Sequence, residues 1–171
     1  GRPDSLGPVP GDLTDMNHWI LWFNDYLGRI RTRGCATGVN RIIMVKSCFP
    51  NSDVWEDRRT TPPTGDPFTF GSIANHQAQF RHPSGPGHSY THEGYSYKPL
   101  EDIFAENPGT LFVFVTAPPL HYAPEDATSN TAAHNARVFN NWLKNDWLTG
   151  YNQAHPGLNN VAVFDWFNLL A

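Results

Sequence analysis

The chain has 171 residues, 39% hydrophobic and 13% aromatic, which suits one domain built on one core. Its formal net charge is -4 and no basic stripe follows a helical period, which argues against a nucleic-acid partner. No apolar run approaches the roughly 18 residues needed to cross a bilayer, so no transmembrane segment is expected.

Charged residues make up 16%, against about 25% in an average soluble domain, and lysine is confined to Lys46, Lys98 and Lys144. Polarity comes instead from Asn, Thr, Ser, Gly and His, a profile common in secreted proteins, and a secreted or extracellular location is the expectation. The opening Gly1-Arg2-Pro3-Asp4 is neither an initiator methionine nor a signal peptide, and no Asn-x-Ser/Thr sequon occurs. Two cysteines, Cys35 and Cys48, leave two readings open: a disulfide, or a free Cys48 packed as a small hydrophobe at a strand end.

In chain order, residues 1–13 are rich in Gly, Pro and Asp and should be irregular. Thr14 or Asp15 can cap a helix in which Trp19, Trp22, Phe23, Tyr26, Leu27 and Ile30 recur at helical spacing. It should end near Gly34, with Arg29, Arg31 and Arg33 facing the negative end of its dipole. Arg41 to Lys46 reads as a buried strand. A long irregular segment over about 49–95 follows, carrying many Pro and Gly, with a short helix around 73–80. Its rings (Trp55, Phe68, Phe70, Phe80, Tyr90, Tyr95, Tyr97) favour an ordered loop packed on the domain. A short helix over 98–106, a strand over 111–115 stopped by Ala117-Pro118-Pro119, a helix over 131–149 and a strand over 161–165 complete the series, and Trp166 begins a further element.

Strands alternating with helices predict parallel crossover units, with helices on both faces of the sheet. Ligands then sit at the carboxyl ends of the strands, at Ser47 to Asp53, Thr116 to His121, and Asp165. Three strands make a thin sheet, so the 1–171 domain is expected to be incomplete at both ends, or to be completed by flanking segments or by a homo-oligomer.

Just past the first strand, Ser47, Asn51, Ser52 and Asp53 gather two hydroxyls, an amide that can donate to an oxyanion, and a carboxylate; the plain alternative is a shaped turn. The series Ile42 to Asp53, Leu111 to Pro119, Asn135 to Leu143 and Val161 to Leu170 resembles the middle of an SGNH/GDSL-type hydrolase. The resemblance rests on the Thr116-Ala117-Pro118-Pro119 stop, an Asn near the start of the next helix (Asn135), and a strand ending in Asp165. It implies a flavodoxin-like three-layer α/β/α domain with a parallel sheet, and a serine esterase acting on an acylated carbohydrate without a cofactor. It also implies that Asn51 completes the oxyanion hole, although Phe49-Pro50 stands where the superfamily usually has a Gly. The superfamily's Gly-Asp-Ser-like nucleophile block and Asp-x-x-His base block are not at their places. Asp4-Ser5-Leu6 follows no strand, and Asp15-Met16-Asn17-His18 sits where a helix begins. Little or no esterase activity is therefore expected of these residues alone. Thr116, His121, Trp55, Tyr90 and Tyr95 are expected to contact substrate. The histidine loop of His76, His82, His88 and His92 with Glu93 matches no common zinc spacing; His88 and His92 are its only weak metal candidates. The rival expectation is a non-catalytic extracellular protein that binds glycan or assembles with itself on the same scaffold.

Overall fold

The computed structural model of the chain describes residues 18–32, 34–46, 54, 65–69, 71–119 and 127–170, with backbone alone at 127–130. The apolar stripe read in the sequence forms helix α1, Trp19–Thr32, which buries Trp19, Ile20 and Phe23. Its last carbonyls are taken up by Asn40, whose amide Nδ2 donates to Ile30 O at 3.0 Å and whose backbone N–H donates to Arg31 O at 2.6 Å. Thr14 and Asp15, the expected caps, lie outside the described residues, as do Arg33 and Cys48. Cys35 is a free thiol, and its Sγ donates to Asn40 Oδ1 at 2.9 Å.

Strand β1, Ile42–Lys46, is followed by α2, Ile73–Phe80, capped by Ser72, whose Oγ accepts from Asn75 N–H at 3.0 Å. The tail of the segment expected to be irregular is a hairpin, β2 Tyr90–His92 and β3 Tyr95–Tyr97, paired antiparallel. Helix α3, Leu100–Ala105, leads into β4, Leu111–Val115. The second long helix differs from the 131–149 expectation. It starts earlier, as α4 over Ala127–Trp142, runs through a π segment at Leu143–Trp147, and continues as α5, Leu148–Ala154. Strand β5, Val161–Phe164, stops one residue short of Asp165, and α6, Trp166–Leu170, follows.

The three strands form one parallel sheet in the order β1-β4-β5. This is the α/β class expected from the alternation of strands and helices. Inward residues Ile43, Val45, Phe112, Phe114 and Val161 join helix residues Trp19, Phe23, Phe80, Phe104, Phe139, Leu143 and Trp147 in one core. Phe114 sits at its middle, with ring centroids 5.1 Å from Phe80, 5.4 Å from Trp19 and 5.5 Å from Phe104. Burying such rings is worth roughly 1.5–3 kcal/mol each by area removed from water. Outward residues of the two flanking strands contrast with this: Ile42 is 63% exposed, Met44 66% and Phe164 48%, although Val115 at the end of the central strand is buried. Among the described residues the core-forming helices therefore cover one face of the sheet.

Candidate functional site at the carboxyl edge of the sheet

Because the strands are parallel, their carboxyl ends share one edge, and the segments after them meet there. Beneath this edge lies a second, smaller apolar cluster of Val54, Ala136 and Phe167, with Ile73 packed against it. Thr116, directly after β4, is buried, and its Oγ1 accepts the Phe167 N–H at 2.8 Å. That hydroxyl satisfies a first-turn donor of α6, so its role in the structure is to fasten a helix to the sheet edge.

Asp165 follows β5 and caps the same helix: Asn168 N–H donates to its Oδ1 at 3.3 Å and Asn168 Nδ2 to its Oδ2 at 2.7 Å. Lys144 Nζ, from the π segment, donates to the same Oδ2 at 2.5 Å. Burial by itself would raise the acid's pKa, but Lys144 and the Asn168 donors outweigh it and hold the carboxyl below the ordinary carboxylate range. Asp165 is thus a charged, fully engaged group, better suited to fixing geometry than to accepting a proton. Lys46, the last residue of β1, places its ammonium 5.2 Å from the Trp166 ring centroid. The edge is thereby laced by two of the chain's three lysines. Sequence reading missed Lys144 and Asn168, and the scarcity of lysine was the available signal.

Several residues expected at this site, Ser47, Asn51, Ser52, Trp55 and His121, lie outside the described residues. Asn135 is not near the start of its helix: α4 begins at Ala127, which puts it about two turns in, where it is buried. Tyr90 and Tyr95 stand in the hairpin rather than beside Thr116. Tyr90 OH donates to Ala78 O at 2.8 Å, at the far end of α2 from its Ser72 cap, and burial raises its pKa further above 10. Tyr95 is exposed.

The histidines do not converge. His92 stacks on Phe68 at 4.1 Å, while His88 stacks on His82 at 5.3 Å. Among the described residues no group of three His, Cys, Asp or Glu side chains is arranged to hold a metal ion, and no helix is long and apolar enough to cross a membrane. Compared with family models, curated proteins and solved structures, the chain matches none.

Proposed function

We propose that this chain is the core of an SGNH-like ester hydrolase acting on an acylated carbohydrate. The observation that supports the reading is the parallel order β1-β4-β5, which brings the Thr116–Pro119 stop and Asp165 to the edge where Ser47 continues β1 in the chain. In this reading Asn51 donates to the oxyanion of the tetrahedral intermediate, and Ser47 and Ser52 are the hydroxyl candidates of the same segment. Thr116 and the Lys144–Asp165 pair hold the floor of the edge rigid. A serine would attack the ester carbonyl while a histidine takes its proton and returns it to the sugar hydroxyl that leaves as the ester C–O bond breaks, and water would then hydrolyse the acyl-enzyme.

A serine-reactive fluorophosphonate is the direct test. The protein isolated from its natural source is expected to take the label on a serine, found by peptide mapping. The 171-residue chain alone is expected to take little, because its sequence carries no Gly-Asp-Ser block. If the natural protein is not labelled, the hydrolase reading is lost. A second reading, a binding or self-assembling protein on the same scaffold, is favoured by one observation: the exposure of Ile42, Met44 and Phe164 on the outer face of the sheet.

A further inference from the structure

A cleft of about 470 Å³ lies between α2, with the loop that follows it, and Trp142 at the end of α4. That volume falls within the roughly 300–1,000 Å³ of small-molecule sites. Its walls divide by chemistry. Ala74, Ala78, Pro83 and the Trp142 indole are apolar, while Gln77, Arg81 and His82 bring polar groups. None of Lys46, Thr116, Lys144 and Asp165 lines it.

Two of the polar groups, Arg81 and His82, are held in place by neighbours. Arg81 Nε donates to Glu101 Oε2 at 2.9 Å, and Glu101 is buried, so the guanidinium is fixed through one edge. Gly150 leaves room for it: a β-carbon there would lie 3.0 Å from an Arg81 Nη. His82 Nδ1 accepts the Ser84 N–H at 3.1 Å, which leaves the proton of a neutral ring on Nε2 as a donor. The Tyr90 ring lies 4.5 Å from His82, and its hydroxyl bonds Ala78 O. One side of the Trp142 indole is stacked by Phe139 at 5.9 Å, and Phe80 meets it edge-on at 6.3 Å. The π segment that begins immediately after Trp142 is a helical irregularity that recurs at functional sites.

We propose that this cleft is a binding subsite for a neutral sugar ring, stacked on Trp142 and hydrogen-bonded by Gln77, Arg81 and His82. A sugar has one apolar face of C–H groups and a rim of hydroxyls that both donate and accept. An indole wall facing an amide, a guanidinium and an imidazole N–H matches that division. Glu101 balances the charge of Arg81, so the cleft favours a neutral polyol over phosphate or a carboxylate. The inference rests on the cleft alone and stands apart from ester hydrolysis at the sheet edge.

The test is heteronuclear NMR of the 171-residue chain with millimolar cellobiose, maltose or chitobiose, with glucuronate and inorganic phosphate as charged comparisons. At least one neutral disaccharide is expected to shift the amides of residues 74–85 and the Trp142 indole N–H. Binding should weaken about tenfold in Gln77→Ala, which removes an amide from the cleft wall, and also in Ala74→Phe, which fills the cleft. Gln77→Ala must keep the wild-type spectrum elsewhere, so that loss of binding is not loss of fold. Absence of shifts with all three disaccharides, shifts with the charged ligands alone, or binding undiminished in Gln77→Ala each overturns the inference. Saccharide binding here without fluorophosphonate labelling keeps the subsite and removes the hydrolase reading; labelling without these shifts does the reverse.

Discussion

His76 shows at single-residue scale how far this core constrains chemistry. It lies on α2 with no solvent exposure, its ring centroid 5.4 Å from that of Phe139, and burial lowers its pKa from 6.5 to about 4. Its unfolded state therefore binds a proton below pH 6.5 that the folded state refuses until about pH 4. Stability contributed by the neutral ring is complete above that window and is lost as pH falls through it, by about 3 kcal/mol in total. Asp165 acts in the same direction over a lower range: its depressed pKa stabilises the fold above the ordinary carboxylate pKa and ceases to do so as acid protonates it. Urea unfolding of wild type and His76→Phe across the window separates the two. The variant is expected to lose about 3 kcal/mol less than wild type between the two ends. Equal losses would mean that His76 is not held neutral.

At the scale of elements, one buried amide ties three of them together. Asn160, just before β5, donates through Nδ2 to Phe104 O at 2.7 Å, at the end of α3, and accepts the Tyr151 hydroxyl of α5 at 2.8 Å. Asn160→Ala strands the Tyr151 hydroxyl in the core and takes from Phe104 O one of its two donors, leaving the Asn107 N–H at 3.0 Å, and should cost about 2–3 kcal/mol, whereas Tyr151→Phe removes one partner and should cost about 1 kcal/mol. Thermal unfolding measures both, and equal costs would show that the bond from Asn160 Nδ2 to Phe104 O adds nothing to the one from the Asn107 N–H.

Element type was largely legible from periodicity: α2 falls on 73–80, β4 on 111–115, and α1 follows the Trp19 to Ile30 stripe. The misses have physical causes. The hairpin turns on Glu93 and Gly94, with φ of 49° and 81°, and Glu occupies the left-handed position where Asn or Asp would have signalled a tight turn. The start of α4 was hidden because Thr128, Ser129, Asn130 and Thr131 are residues that favour caps over helix interiors. The π segment left a trace that went unread. Phe139, Leu143, Trp147 and Tyr151 are all buried yet spaced by four, a repeat that rotates about 40° per step off one face of a regular helix. The wider π turn returns them to the core. The candidate site was less legible than the fold: strand ends located its edge, but Lys144 reaches Asp165 across a distance in sequence that no local pattern encodes.

At the scale of the whole molecule, the two faces of the sheet are unequal. The strand sequences Ile42–Lys46, Leu111–Val115 and Val161–Phe164 are apolar at nearly every position, the pattern of strands covered on both sides. The inward face meets that expectation, while Ile42 and Met44 of β1 and Phe164 of β5 stand exposed on the other, on the strands that are the sheet's edges among the described residues. An apolar face of this kind draws a second surface onto it, and in a solution of this chain another copy supplies one. Sedimentation velocity of the 171-residue chain should therefore show association that grows with concentration. Met44→Lys should abolish it and change the stability of the monomer by no more than about 0.5 kcal/mol, because the side chain leaves no core contact behind. Val45→Lys, one residue along the same strand but pointing into the core, should unfold the chain. A chain that stays monomeric at every concentration and is unfolded by Met44→Lys would place Met44 under a cover, and the bare face would then be no docking surface at all.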